Sequence, residues 1–100
     1  MNQYNVYITP AALKESKSLP GYVRHRVKRA IGKLADDPRP PSSKPLSVAE
    51  IDFEVRRFRV ERWRVIYAIS EDEKTVDVLA VRKRPPYDYG DLESLLDELT

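Results

Sequence analysis

From Ile51 to Lys83 apolar residues recur at alternate positions, and that spacing commits this part of the chain to strands of one sheet. Ile51, Phe53 and Val55 share one phase, whereas Phe58 and Val60 share the other. Successive side chains of a strand point to opposite faces, so the change of phase near Arg56 and Arg57 predicts a bulge or bend there. Trp63, Val65, Tyr67 and Ile69 form one face of the next strand. Ser70 to Glu73 reads as a polar turn, and Val76 to Lys83 as the last strand.

The preceding half has a different period. Val23, Val27, Ala30, Ile31 and Leu34 fall on one face of a helix. Arg24, His25, Arg26, Lys28, Arg29 and Lys33 lie mostly off that stripe. Asp36-Asp37-Pro38 ends this helix, because the residue before proline is pushed out of the helical region. Upstream, Tyr4 to Ile8 alternates as a short strand, and Thr9-Pro10 pairs an N-cap residue with proline at the first helical position. Ala11, Ala12, Leu13 and Ser16 give that first helix a small apolar face, and Leu19-Pro20-Gly21 breaks it. Residues 38 to 47 hold four prolines and read as a loop. Asp91 to Leu99 reads as a terminal helix through Leu92, Leu95, Leu96 and Leu99. The expected architecture is α+β: an N-terminal strand, two helices, a three-stranded antiparallel sheet and a C-terminal helix, with the helices on one face. Residues 1–100 suit one domain without repeats, long enough to bury one core.

Several classes of chemistry are excluded. The chain has no cysteine, so disulfides, thiolate metal sites and cysteine nucleophiles are absent, which suits a reducing cytoplasm. The start, MNQYNVYITP, lacks the pattern of a signal peptide, and no membrane partner is expected, since no stretch approaches the roughly 20 apolar residues of a span. His25 is the only histidine, and the carboxylates are scattered, so neither a metal site nor another cofactor is expected. There is no glycine-rich phosphate loop, because the only glycines are Gly21, Gly32 and Gly90.

Charge points elsewhere. The net charge of +2 divides into −5 over residues 88–100 and +7 over residues 1–87. A basic body with an acidic tail suits either a polyanionic partner with a covering tail or a solubilising end. Between residues 56 and 84 arginine outnumbers lysine seven to two. Strand alternation, with Phe58, Val60, Trp63, Val65, Tyr67, Leu79 and Val81 facing the helices, places Arg57, Arg59, Arg62, Arg64, Arg82 and Arg84 on the opposite face. Guanidinium is planar, permanently charged and binds phosphate bidentately, so the bias favours a nucleic acid or an acidic partner over a merely solvated face. Tyr87 and Tyr89 follow the last arginine closely. Neighbouring guanidiniums favour an ionised tyrosine, yet by spacing alone the pair reads as aromatic packing beside Pro85-Pro86.

An ordered set of segments carries a resemblance. Leu34-Ala35-Asp36-Asp37-Pro38-Arg39-Pro40, Lys44, Arg57-Phe58-Arg59-Val60, Trp63-Arg64-Val65-Ile66-Tyr67 and Val81-Arg82-Lys83-Arg84 together resemble the RelE/ParE toxin superfamily over nearly the whole chain. The resemblance implies the same α+β fold, a cognate antitoxin, and, for the RelE branch, metal-free endonuclease cleavage of mRNA in the A site of the 70S ribosome. Operator DNA would be reached only through the antitoxin complex. It assigns Arg64 to the scissile phosphate and Arg84 to charge stabilisation and leaving-group protonation. Tyr89 or Tyr87 becomes the base, with Tyr89 preferred. Arg56, Arg57, Arg59, Arg62, Arg82, Lys83 and Lys44 become the RNA-binding set. Two departures stand out: the turn that usually holds glycine reads Glu61-Arg62, and an expected upstream basic residue falls near Val55, with Arg56 as its substitute through a shifted register. The alternatives are a ParE-like poison of DNA gyrase without nuclease activity, and a non-catalytic homologue acting with its antitoxin as an operator-binding co-repressor.

Overall fold

The computed structural model describes residues 3–46 and 54–83. The strands are β1 (Asn5–Ile8), β2 (Lys44–Leu46), β3 (Glu54–Val60), β4 (Trp63–Ser70) and β5 (Thr75–Lys83); the helices are α1 (Pro10–Lys17) and α2 (Gly21–Lys33). The strands form one mixed sheet in the order β1-β5-β4-β3-β2. β1 lies parallel to β5, and the other pairings are antiparallel. The expected α+β class holds, with two strands added to the expected three-stranded core of the sheet. The terminal helix expected over Asp91–Leu99 lies outside the described residues.

The core sits between the helices and one face of the sheet. Val23, Val27, Ile31 and Leu34 of the α2 stripe meet Phe58, Val60, Val65, Tyr67, Ile69, Val76, Val78 and Val81. At the start of α1, Thr9 Oγ1 accepts from the Ala12 N–H at 3.3 Å and donates to the Val78 carbonyl at 2.9 Å. One side chain therefore caps the helix and ties it to β5. Neither described helix is long and apolar enough to cross a membrane.

Four local expectations need correction. β2 lies within the stretch read as a proline loop; its Pro45 occupies the edge strand, where a missing N–H costs no ladder bond. No bulge occurs at Arg56–Arg57, since β3 pairs with β4 without interruption from Glu54 to Val60. Val55 and Phe58 are buried on opposite faces of an uninterrupted strand, and this produces the change of phase. The irregularity lies instead in β5: Ile66 pairs with Ala80 and Tyr67 with Val78, so Leu79 is the extra residue, and it lies outside the helix-side core. Finally, α1 buries only Ala12, and Leu13 is exposed. An eight-residue helix makes little more than two turns, and at the sheet edge one position is covered rather than four.

Candidate nucleic-acid interface

In antiparallel strands directly opposed residues share a face. Arg59 of β3 opposes Arg64 of β4, and Arg64 opposes Arg82 of β5. The three arginines form a row across the sheet, one position in from the β3–β4 hairpin. With strands about 4.8 Å apart, the row spans about 10 Å at the backbone. In the next rows, Lys44 opposes Arg57, which opposes Ile66. Val55, Ile66, Ala68 and Ala80 of the same face are buried. This face, opposite the two described helices, is thus apolar towards one end and cationic towards the hairpin.

The bulge at Leu79 makes the row possible. Val78 points into the core, so strict alternation would send Arg82 there as well. The extra residue returns Val81 to the core and turns Arg82 beside Arg64. The inward placement expected of Leu79 was wrong, yet the outward placement of Arg82 holds because of this irregularity.

The remaining residues singled out from the sequence divide. Arg62 lies in the turn beyond the strands and is exposed. Arg56 opposes Tyr67 on the helix side, because β3 has no register shift to turn it outward. Its Nε donates to Ser43 Oγ at 2.9 Å, and Nη1 to Glu54 at 3.2 Å. Lys83 opposes Trp63, also on the helix side, and is exposed. Arg84, Tyr87 and Tyr89 lie outside the described residues. The described row consists of guanidinium groups, which donate hydrogen bonds and have no acceptor, so it offers positive charge.

Burial grades the row. Arg59 is exposed, Arg82 is half-buried and Arg64 retains 8% of its surface. A buried guanidinium is stabilised only by anionic or hydrogen-bonding company, and its attraction for an anion strengthens as water is excluded. Glu15 of α1 reaches this site. It accepts from the Arg82 Nε–H at 3.2 Å and from the Val81 N–H at 3.1 Å. Sequence reasoning missed Glu15, which stands 67 residues from Arg82, and no local pattern links the two.

A second basic feature adjoins the row. A cavity of about 490 Å³ opens between α2 and β3, with Arg26, Arg29 and Lys33 on one wall and Phe58, Arg59 and Glu61 on the other. Arg26 pairs with Glu61. The 13 residues of α2 include no acid.

The loop leading to Lys44 is pinned. The buried Tyr67 hydroxyl donates to the Pro38 carbonyl at 2.7 Å, and burial raises its pKa. Arg39 bonds Glu54 and Glu71, and this lowers the pKa of both carboxyls, Glu71 to about 2. Among the described residues, no three His, Cys, Asp or Glu side chains are grouped to hold a metal ion.

A mixed sheet with the two described helices on one face and a row of arginines on the other defines a small α+β protein. The family model described as ParE toxin of type II toxin–antitoxin systems, parDE, matches residues 6–85, and the chain belongs to this family, within the RelE/ParE superfamily. Solved structures agree in fold. The archaeal RelE–RelB complex from Pyrococcus horikoshii is similar at 25% identity and a TM-score of 0.74, over 85% of this chain and 99% of that one. The RelBE2 toxin–antitoxin complex from Mycobacterium tuberculosis is similar at 28% identity and a TM-score of 0.68, over 82% and 99%. The isolated E. coli RelE toxin, 21% identical with a TM-score of 0.65 over 97% and 99%, shares the fold. No curated protein sequence matches the chain.

Proposed function

We propose that this toxin is a ribosome-dependent endoribonuclease that cleaves mRNA by attack of a 2′-hydroxyl on the adjacent phosphate, and that a cognate antitoxin restrains it. The observation that carries the reading is the alignment of Arg59, Arg64 and Arg82 in one row. In-line attack needs a base for the 2′-hydroxyl, an acid for the leaving 5′-oxygen, and positive charge where the phosphorane-like transition state gains negative charge. The row supplies the last of these. Arg64 is assigned to the scissile phosphate, with Arg57, Arg59, Arg82 and Lys44 along the flanking backbone. Arg84 is assigned to the leaving oxygen and Tyr89 or Tyr87 to the base. Antitoxin complexes of the similar RelE proteins support the partner.

The test is to map mRNA ends on translating ribosomes after brief induction, with Arg64→Ala and Arg84→Ala alongside. New ends should appear with the parent chain, and both variants should stay folded and lose at least tenfold of the cleavage, as expected when a transition-state charge partner is removed. If both variants remain fully toxic at equal expression, the catalytic assignment is wrong.

The match to ParE favours a second reading, poisoning of DNA gyrase. DNA breaks and an SOS response that precede the arrest of translation would establish it in place of the first.

A further inference from the structure

We infer that Glu15 is a positioning residue for Arg82, holding its guanidinium in the arginine row while competing with phosphate for its charge. This rests on reading the row as the RNA site. β1 pairs with β5 only as far as Ile8 and Val78. Past that point the second turn of α1 faces β5, and Glu15 occupies it. One oxygen of the carboxylate accepts from the Val81 N–H and the other from the Arg82 Nε–H. The backbone bond fixes the carboxylate, and the fixed carboxylate then restrains the Arg82 side chain through its Nε. Both partners are partly buried, with side-chain exposures of 26% for Arg82 and 32% for Glu15, so solvent screens the pair less than it would a fully exposed one.

Two consequences oppose each other. A held guanidinium loses less freedom when it meets the transition state, which favours cleavage. A guanidinium already facing a carboxylate gains less from ground-state phosphate, which weakens binding. Loss of the Glu15 charge should therefore raise affinity and lower the cleavage rate. A residue that only supported the edge of β5 would lower both together.

The experiment uses the full chain, with Glu15→Gln as the variant that keeps size and an acceptor for Val81. Binding to a 2′-O-methyl RNA oligonucleotide is measured across a KCl series, and mRNA cleavage on ribosomes at saturating toxin. The expected result is severalfold tighter binding at low salt, a slope of log K against log salt steeper by up to about 0.7, and cleavage reduced about tenfold. In an Arg82→Ala background, Glu15→Gln should change neither. The Arg82 Nε–H NMR signal, protected from exchange in the parent and exposed in Glu15→Gln, reports the clamp without RNA. Unchanged slope and cleavage, a fall in both that follows a loss of thermal stability, or an unprotected Nε–H in the parent would each overturn the inference. A parent chain with a protected Nε–H that binds and cleaves no RNA overturns the RNA reading of the face, and with it the role given to Glu15 there.

Discussion

Single side chains in this protein serve as ties between elements distant in sequence. Tyr67 is fully buried, packs its ring 5.8 Å from that of Phe58, and gives its hydroxyl proton to the Pro38 carbonyl. Burial disfavours the ionised phenolate and pushes its pKa upward, and without the bond burial would leave two polar groups unsatisfied. Tyr67→Phe keeps the ring and strands the carbonyl of a buried proline. The expected cost is about 1–3 kcal/mol, read as a lower urea midpoint with an unchanged slope. An unaltered midpoint would show that the bond contributes no net stability.

At the scale of elements, the β3–β4 hairpin turns through a residue with a positive φ. Val60 opposes Trp63, leaving the two-residue turn Glu61-Arg62. Glu61 has φ 56°, the left-handed region that glycine enters without a Cβ penalty. Where the resemblance led to the expectation of glycine, a residue with a Cβ is strained in this conformation. Its compensation is the pair with Arg26, which is solvent-exposed and so worth little. Glu61→Gly should stabilise the domain by up to about 1 kcal/mol relative to Glu61→Ala, measured by thermal unfolding. Equal stabilities would mean that this φ carries no cost.

For the whole molecule, acid should act in two opposing ways. Glu71 is held to about 2 chiefly by Arg39, then by Lys74 and Tyr4. A carboxyl with a lowered folded pKa contributes stability that is complete above its ordinary value of 4.5 and is lost as pH falls towards about 2. Glu71→Gln should therefore lower Tm at pH 7, converge with the parent near pH 2, and lose part of its effect in high salt because the site is exposed. Asp77 has the opposite sign: burial, and then the charge of Glu73, raise its pKa. Its folded form binds a proton more readily than the unfolded chain, so its penalty is absent below the ordinary 3.8 and complete above the raised value. Asp77→Asn should raise Tm at pH 7 and match the parent in acid. A Tm difference that did not change with pH would sink either assignment.

Periodicity alone determined much of the molecule: the α2 stripe, the Thr9-Pro10 cap, four of the five described strands and the outward face of Arg57, Arg59 and Arg64. These follow from rules spanning a few residues, because a helix repeats every 3.6 residues and a strand every two. Tertiary structure decided the rest. Where β1 and β2 join the sheet, where the ladder slips at Leu79, and that Arg62 and Lys83 fall outside the row depend on pairings between distant residues. The arginine-lined sheet that the sequence suggested as six side chains contains four of them among the described residues, Arg57, Arg59, Arg64 and Arg82. Arg82 owes its place to the bulge and its fixed Nε to Glu15, two features that arise only once β5 lies between β4 and the end of β1.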